Sequence, residues 1–235
     1  MLKLIICGIN GAMGTQIYHS AISKNHEVVC GIDKTTLSNI ECPIYNDFDQ
    51  INHHANVIVD FSSPTITERL LDFAIDNCLP LVIGTTGHTK RQEKDILDAS
   101  TRIPIFKSAN TSLGVNLFIK LCKIAASYLN NFDVSIIEKH HINKKDSPSG
   151  TANLIYDEIS KANHNLSKSN IHSLRGGTIV GEHSVIYLGR NESITLTHSA
   201  QSKQLFASGA IDACEFIVKQ QSGLYTMEDL IDSSF

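Results

Sequence analysis

Residues 1–110 alternate short apolar segments with segments of helical spacing, and this alternation restricts the possible folds more than any other feature of the sequence. Residues 2–7 form a mostly apolar run with β-branched side chains, as expected for a strand buried on both faces. Further strands are predicted at 27–32, 57–61, 81–83 and 103–106, and helices at 15–24, 65–77 and 90–100. Because strands that alternate with helices form parallel βαβ units, we predict an α/β Rossmann-like domain with a doubly wound sheet.

The pattern changes after residue 111, which indicates a second domain. Residues 112–129 have the spacing of a long amphipathic helix, with one apolar stripe formed by Leu113, Leu117, Leu121, Ile124 and Tyr128. Strands are predicted at 134–139, 178–188 and 193–198, a helix at 152–159, and a loop rich in Asn and Ser at 163–170. Helical spacing returns at 209–218, and a short capped segment follows at 223–230. We therefore expect one domain from residues 1–111 with 209–235, and an α+β domain from residues 112–208.

A glycine-rich loop joins the first predicted strand to the first predicted helix. It reads Gly8-Ile-Asn-Gly-Ala-Met-Gly14, so Gly11 and Gly14 take the second and third places of G-x-G-x-x-G, and the first glycine is displaced by one. Such a loop lets the backbone approach a pyrophosphate at a helix N-terminus. Asp33 ends the second strand, where it can accept a hydrogen bond from an adenosine ribose, whereas Lys34 could pair with a 2′-phosphate. The cofactor-binding residues predicted here are Gly8, Asn10, Gly11, Ala12, Met13, Gly14, Asp33 and Lys34.

Two more turns follow predicted parallel strands. They are Gly84-Thr-Thr-Gly87 and Asp60-Phe-Ser-Ser-Pro64, and each alone could be a plain connection. Loops at the carboxyl ends of parallel strands form the ligand crevice of open α/β sheets. We therefore expect these two turns, including Gly84, Thr85 and Thr86, to line the nicotinamide side of a dinucleotide site.

The run from Glu138 to Ala152 concentrates charge and proton-transfer groups. It reads Glu-Lys-His-His-Ile-Asn-Lys-Lys-Asp-Ser-Pro-Ser-Gly-Thr-Ala, and a helix is predicted to follow the Ser-Pro-Ser-Gly-Thr turn. Lysines can hold carboxylates, histidines can exchange protons near neutral pH, and backbone N–H groups at a helix start bind anions. The run therefore favours a small, multiply anionic substrate and proton-transfer chemistry. A solvated basic loop capped by Ser149 is the alternative interpretation.

Composition excludes several classes of protein. A net charge of -4 and the lack of a basic stripe argue against a nucleic-acid or membrane-surface binder. The six cysteines include no C-x-x-C pair, so we expect reduced thiols in a cytoplasmic protein and neither a disulfide framework nor a metal site. The apolar N-terminus is too short for a signal peptide, and no segment has the length of a membrane span.

Four segments together resemble the 4-hydroxy-tetrahydrodipicolinate reductase (dihydrodipicolinate reductase) family: Gly8–Gly14, Gly84–Gly87, 108–116 and 138–152. They are distributed along the chain, so the resemblance spans almost its whole length. Residues 175–183 and 206–210 fit the family as well. The resemblance implies a dinucleotide-binding domain, a substrate-binding and tetramerisation domain, and a homotetramer. It also implies that NADH or NADPH delivers hydride to a cyclic dicarboxylate imine.

The resemblance further implies roles for individual residues. His140 would be the proton donor, and Lys144 would bind substrate and stabilise charge. Ser108 and Asn110 would join the cofactor-binding residues. The residues implied to hold the substrate carboxylates are His141, Lys144, Ser149, Gly150 and Thr151. The chain departs from the family pattern at Lys203, where an arginine is expected, and in shorter segments at 35–47 and before Gly181.

Three other interpretations fit the sequence less well. A short-chain dehydrogenase would need Tyr-x-x-x-Lys, and none of the six tyrosines has a lysine four residues later. A dinucleotide-sensing regulatory protein without catalysis would commonly carry a basic DNA-binding region, which this sequence lacks. A degenerate, non-catalytic relative would be expected to lose His140, Lys144 or Thr151, and all three are present.

Overall fold

The structure is a computed structural model that describes residues 1–36, 40–163 and 166–233. The chain divides into two compact units, one of Met1–Leu113 with Gln204–Phe235 and the other of Gly114–Lys203. Part of the predicted 163–170 loop lies outside the described residues, and Lys168–Asn170 at its end forms a short 3-10 turn. Within the described ranges, no helix combines the length and the apolarity needed to cross a bilayer.

The secondary structure comprises eleven described strands and seven described α-helices. The strands are β1 (Lys3–Cys7), β2 (Glu27–Ile32), β3 (Ile44–Tyr45), β4 (Val57–Asp60), β5 (Leu81–Ile83), β6 (Pro104–Lys107), β7 (Asp133–His140), β8 (Ile171–Arg175), β9 (Gly181–Leu188), β10 (Ser193–Ala200) and β11 (Gly223–Tyr225). The helices are α1 (Ala12–Ser23), α2 (Thr67–Asp76), α3 (Lys90–Ser100), α4 (Leu113–Tyr128), α5 (Gly150–Ile159), α6 (Gln204–Ile217) and α7 (Met227–Asp232).

The first unit contains a seven-stranded parallel sheet in the order β11-β6-β5-β4-β1-β2-β3. Alternate residues of its central strands enter two separate cores. Leu4 and Ile6 of β1 pack with Ile17 of α1 and with Ile211 of α6, and Ile5 belongs to the core on the opposite face. The strand order reverses beside β1, so its carboxyl end lies at a topological switch point, where doubly wound sheets bind ligands. The predicted Rossmann-like fold is confirmed.

The C-terminal segment differs from its prediction. The sequence indicated only a short capped segment at 223–230, but β11 adds a parallel strand to β6 before α7 begins. The short strands β3 and β8 were also missed. A strand of two to five residues gains its hydrogen bonds from the neighbouring strand, and local hydrophobic periodicity does not reveal that partner.

The second unit has a four-stranded mixed sheet in the order β10-β9-β7-β8. Residues from α4 and α5 share a buried cluster with the side chains on one face of this sheet, including Phe118, Ile155 and Tyr187. The Tyr187 hydroxyl donates a 2.5 Å hydrogen bond to the Cys122 carbonyl, which joins the sheet to α4. This cluster fixes the direction in which alternate residues of β7 point.

The apolar stripe predicted on α4 is not its buried face. Leu113, Leu117, Leu121, Ile124 and Tyr128 are 37–83% exposed. The buried residues of α4 are instead Val115, Phe118, Ile119, Cys122 and Ala126. Because α4 is apolar on both sides, periodicity alone could not select the buried side, and the small Cys122 and Ala126 side chains allow close packing there.

Candidate active site

The glycine-rich loop lies at the carboxyl end of β1 and has no room for larger side chains. Gly8 has a φ of +78°, and a Cβ atom there would lie 2.6 Å from the Phe61 carbonyl oxygen. A Cβ atom at Gly14 would lie 2.0 Å from the Gly8 carbonyl oxygen, so glycine at this position lets α1 approach the strand end. Among the described residues, no side chain caps the start of α1 at Gly11. The first N–H groups of α1 are therefore suited to an anionic group.

Asp33 is tied directly to this loop. Its Oδ2 accepts a 3.0 Å hydrogen bond from the Asn10 backbone N–H, and the Asn10 side chain donates to the Thr35 carbonyl at 2.6 Å. Lys34 follows in the same exposed turn. The structure therefore brings the strand-end acid and the glycine loop together, as a site for the adenosine part of a dinucleotide requires.

The other predicted cofactor residues follow β5 and β6. Thr85 is buried, and its hydroxyl accepts a 2.8 Å hydrogen bond from the Ser62 N–H, whereas Thr86 is exposed. Gly84 N–H donates to the Asp60 carbonyl at 2.8 Å. Burial raises the pKa of the Asp60 carboxyl, although hydrogen bonds from Ser62 and Thr85 oppose the rise. These contacts connect the loops after β4 and β5.

Ser108 and Asn110 form a compact turn after β6. The Ser108 hydroxyl donates to the Asn110 carbonyl at 2.7 Å, and the Asn110 side-chain oxygen accepts from the Ser112 N–H at 3.0 Å. All the predicted cofactor residues thus follow the carboxyl ends of β1, β2, β5 or β6 in the first unit. The tight glycine cradle and the uncapped start of α1 fit a nicotinamide dinucleotide.

In the second unit, a buried carboxylate holds the predicted proton donor. Glu138 and His140 are two residues apart on β7, so both side chains point to the buried face. Glu138 is fully buried, and its Oε2 lies 2.5 Å from His140 Nδ1. Arg175 at the end of β8 donates to both Glu138 oxygens, at 2.7 and 2.9 Å. This bidentate pair fixes the carboxylate, and the carboxylate fixes the imidazole ring.

The electrostatics keep Glu138 ionised. Burial opposes its ionisation, but hydrogen bonds from Arg175, Ser173 and His140 outweigh burial and lower the pKa of Glu138 to about 2. Burial also lowers the pKa of His140, with Lys144 and Arg175 acting in the same direction and Glu138 opposing them. Protonated His140 is consequently a stronger acid than a free imidazolium, and Glu138 is the group that favours its charged form.

The Nε2 side of His140 faces a glycine and a second histidine. A Cβ atom at Gly181 would lie 3.1 Å from His140 Nε2, so glycine keeps this nitrogen clear. The His183 ring meets the His140 ring edge to face, with centroids 5.2 Å apart. Burial, together with nearby His140, lowers the pKa of His183 to about 4, so His183 is neutral at neutral pH.

Ser149 forms the N-cap of α5 and also contacts His183. Its hydroxyl oxygen accepts from the Ala152 N–H at 3.1 Å and lies 3.0 Å from His183 Nε2. Both contacts engage a side chain that is only 2% exposed. The carboxylate-binding role predicted for Ser149 stays a prediction, and the observed contacts give this residue a supporting role for the start of α5.

The N–H groups of Gly150 and Thr151 lie in the first turn of α5, beyond the N-cap. Apart from its chain neighbours and the backbone of α5, no described heavy atom lies within 4 Å of the place where a Gly150 Cβ would be. Lys144 lies close enough to His140 to lower the pKa of that histidine. His141 accepts the Lys144 N–H at its carbonyl oxygen and is partly exposed. Lys144 and α5 thus supply positive groups beside the buried histidine.

Lys139 does not lie with the groups that surround His140. Lys139 alternates with Glu138 and His140 along β7 and pairs with Glu182 of β9 at 2.6 Å on the opposite face of the sheet. Lys139 belongs to the same run as Lys144 and Lys145, whose lysines were all predicted to be cations for an anionic substrate. Strand alternation excludes Lys139 from that group.

Three residues of this site had no role predicted from the sequence: Glu138, Arg175 and His183. Glu138 had a usable signal, because a residue two positions before His140 on a strand shares its face. Arg175 and His183 lie on other strands, and only the register of β7 with β8 and β9 brings them to His140. Across the described ranges, no cluster of histidine, cysteine or acidic side chains has an arrangement suited to a metal ion.

Comparisons with known proteins cover the full chain. A family model described as dihydrodipicolinate reductase, N-terminus, matches residues 2–111, and its C-terminal counterpart matches residues 114–231. The 4-hydroxy-tetrahydrodipicolinate reductases of Caldanaerobacter subterraneus subsp. tengcongensis and Clostridium novyi are 44% and 41% identical, and the matches cover 98% and 99% of both chains.

A solved structure has the same fold. It is the dipicolinate-bound dihydrodipicolinate reductase from Paenisporosarcina sp. TG-14, with a TM-score of 0.85, 24% identity, and coverage of 96% of this chain and 97% of that chain. A probable dehydrogenase from Thermotoga maritima is more distant, with a TM-score of 0.61, 12% identity and coverage of 97% and 92%. With both family models matched and full-length relatives above 40% identity, this chain belongs to the dihydrodipicolinate reductase family.

Proposed function

We propose that this chain reduces 4-hydroxy-tetrahydrodipicolinate, through its dehydrated cyclic imine, to tetrahydrodipicolinate in the diaminopimelate route to lysine. As a member of this family, the chain is an NAD(P)H-dependent oxidoreductase. The observation that carries the proposal is the buried Glu138–His140 pair beside Lys144 and the first turn of α5. This set of groups suits a small dianion that must receive a proton.

The residues of the first unit would hold the cofactor. The glycine loop and the start of α1 would bind the pyrophosphate, and Asp33 would accept the ribose hydroxyl. The loops at 84–86 and 108–110 would lie along the nicotinamide ribose. When bound, a reduced nicotinamide supplies a hydride, and the protein supplies binding, orientation and the proton.

The residues of the second unit would hold the substrate and move the proton. His140 donates a proton from Nε2 as the ring nitrogen of the substrate gains negative character, because Nδ1 is held by Glu138. Arg175 keeps Glu138 ionised, so Glu138 orients the imidazole without taking its proton. Lys144 and the N–H groups of Gly150 and Thr151 bind a substrate carboxylate, and His141 and Ser149 support the same subsite.

We also propose that the enzyme is a cytoplasmic homotetramer assembled through the second unit. The face of its sheet opposite α4 and α5 carries Ile137, Ile186 and Leu188, and Leu188 is 43% exposed. Aliphatic side chains on the two central strands of a sheet suit packing against a second sheet. The six free cysteines fit a reducing compartment.

A coupled assay tests the proposed reaction. Synthase-generated substrate is supplied with NADH or NADPH, and loss of nicotinamide absorbance is followed for the wild-type chain and His140→Gln. We expect turnover in the wild type and a roughly 10²–10⁴-fold lower kcat in His140→Gln, because a positioned general acid contributes this much. His54→Gln, at an exposed histidine before β4, is the matched control. No wild-type turnover with either cofactor would contradict the proposed function, and an unchanged kcat in His140→Gln would exclude His140 as the acid.

A further inference from the structure

Asp146 has a position that neither the family roles nor the reaction explains. Its carboxylate Oδ1 lies 2.8 Å from Lys144 Nζ, and the Gly150 N–H is near enough to help lower the pKa of the carboxyl. The carboxylate is thus paired with an ammonium group and lies beside a backbone donor at the start of α5. These are two of the groups that the proposed function assigns to a substrate carboxylate.

Asp146 and the substrate would present the same chemical group, a carboxylate, to these donors. A carboxylate of the substrate and the carboxylate of Asp146 would both seek the Lys144 charge and the helix-start donors. Two carboxylates at one set of donors repel each other, so binding of the substrate carboxylate there requires Asp146 to leave or to become protonated. The Lys144 and Gly150 contacts hold the Asp146 carboxyl ionised by lowering its pKa, with the Lys144 hydrogen bond as the largest cause.

Asp146 can leave by a side-chain rotation alone. Its backbone carbonyl accepts a 2.8 Å hydrogen bond from Arg175, which also holds Glu138. Its side chain is 58% exposed, so the carboxylate can turn into solvent and regain hydration. The backbone at Asp146 therefore stays bonded to Arg175, which holds Glu138, while the Asp146 side chain moves.

We propose that Asp146 is an internal competitor for the carboxylate subsite, occupying Lys144 and the start of α5 until a substrate carboxylate displaces it. This inference rests on the proposed function, because it assigns the same donors to the substrate. The contact keeps Lys144 and the α5 donors in a binding arrangement before substrate arrives. It also lowers the apparent affinity, since only the fraction of molecules with Asp146 displaced can bind.

The test measures affinity for pyridine-2,6-dicarboxylate by calorimetry on the full-length chain with NADH present. Asp146→Asn and Asp146→Ala remove the competing charge, and Asp157→Asn on α5 is the charge-matched control. We expect both Asp146 variants to bind the dicarboxylate about 3–10-fold more tightly than the wild type. This gain corresponds to a wild type in which the state with Asp146 on Lys144 is populated about two to nine times as much as the state with Asp146 displaced. Asp157→Asn should bind like the wild type.

Two results would overturn the proposal. Weaker binding in both Asp146 variants would mean that Asp146 positions Lys144 for the substrate, and unchanged binding would mean that the carboxylate does not compete. Circular dichroism on each variant separates these outcomes from misfolding, and the two substitutions provide independent variants. The exposed side chain gives little reason to expect unfolding.

Inorganic phosphate separates this proposal from the proposed function. Phosphate needs only an anion subsite, so it should also bind more tightly to Asp146→Ala than to the wild type. The double variant that carries both Lys144→Ala and Asp146→Ala should lose that gain. If phosphate binding tightens but the wild type neither binds the dicarboxylate nor turns over substrate, the competitor is present and the proposed reaction is wrong. If the dicarboxylate binds and turnover is normal but neither anion gains affinity, the proposed reaction stands and Asp146 is not a competitor.

Discussion

At the scale of single residues, the site depends on how charges are paired. Arg175 contacts both oxygens of Glu138, and Glu138 contacts His140 Nδ1, so one buried carboxylate connects a permanent cation to a titratable acid. A neighbouring anion favours the protonated form of a histidine. Glu138 therefore controls both the orientation of His140 and the pH range in which it can donate a proton.

The first prediction concerns Glu138→Gln, which keeps the shape of the side chain and removes its charge. The pKa of His140 should fall further below its ordinary value, because the group that raises it is lost. Activity requires protonated His140 and declines as pH rises through this pKa, so the declining limb of kcat/KM should move to lower pH. A pH profile of both proteins checks this shift. An activity loss that is equal at every pH would indicate a purely structural role.

The second prediction concerns cofactor choice. Asp33 should repel a 2′-phosphate and Lys34 should attract one, so we expect the wild type to use both NADH and NADPH. Asp33→Ala should shift the kcat/KM ratio towards NADPH, and Lys34→Ala should shift it towards NADH. Because Asp33 also accepts from the Asn10 N–H, Asp33→Ala should weaken both cofactors, so the ratio is the informative quantity. A ratio unchanged in both variants would remove these residues from the adenosine site.

At the scale of secondary-structure elements, close contacts between backbones fix the geometry of the first unit. A Cβ atom at Gly209 of α6 would lie 1.7 Å from the Thr111 carbonyl oxygen, and the Thr111 hydroxyl donates to the Phe206 carbonyl at 2.7 Å. Residues on both sides of this contact belong to the first unit. The contact therefore sets how α6 meets the chain after β6.

The third prediction follows from this contact. Gly209→Ala should lower the free energy of unfolding by about 3 kcal/mol, because backbone on both sides cannot move easily to relieve the overlap. Gly150→Ala is a matched helical control, since a Cβ atom there meets open space. Thermal and urea unfolding of the three proteins check the difference. Equal stability of Gly209→Ala and the wild type would contradict the packing argument.

At the scale of the whole molecule, two groups of apolar side chains are exposed: Leu174 and Leu188 on the outer face of the second sheet, and the stripe from Leu117 to Tyr128 on α4. An exposed apolar face larger than scattered single residues commonly marks an interface. The proposed tetramer assigns the sheet face to subunit contacts. Burying Ile186 and Leu188 between sheets would also shield the Lys139–Glu182 pair beside them.

The fourth prediction concerns assembly. Light scattering of the wild type should give about four times the chain mass of 25.8 kDa. Ile186→Lys should reduce the mass to that of smaller species, because a lysine within a packed sheet interface loses hydration without a partner. Leu97→Lys, at an exposed apolar position on α3, should leave the mass unchanged. A monomeric wild type would exclude the tetramer.

The sequence by itself determined the fold class, the glycine loop and the family. These depend on local signals: buried strands are continuous apolar runs, helices repeat every 3.6 residues, and the 138–152 run combines residue types that few sites need. The limits of β2, β5 and α3 were predicted to the residue for the same reason. Both family models then confirmed the resemblance.

Only the tertiary structure decided which residues surround His140 and which faces are buried. Arg175 and His183 reach Glu138 and His140 through strand register, and register depends on hydrogen bonds between segments far apart in sequence. Lys139 does not belong to the proposed substrate site, because adjacent residues of a strand point to opposite faces of the sheet. The choice between the two apolar sides of α4 depended on close packing at Cys122 and Ala126, which follows from the shape of the partner sheet and not from hydrophobicity alone.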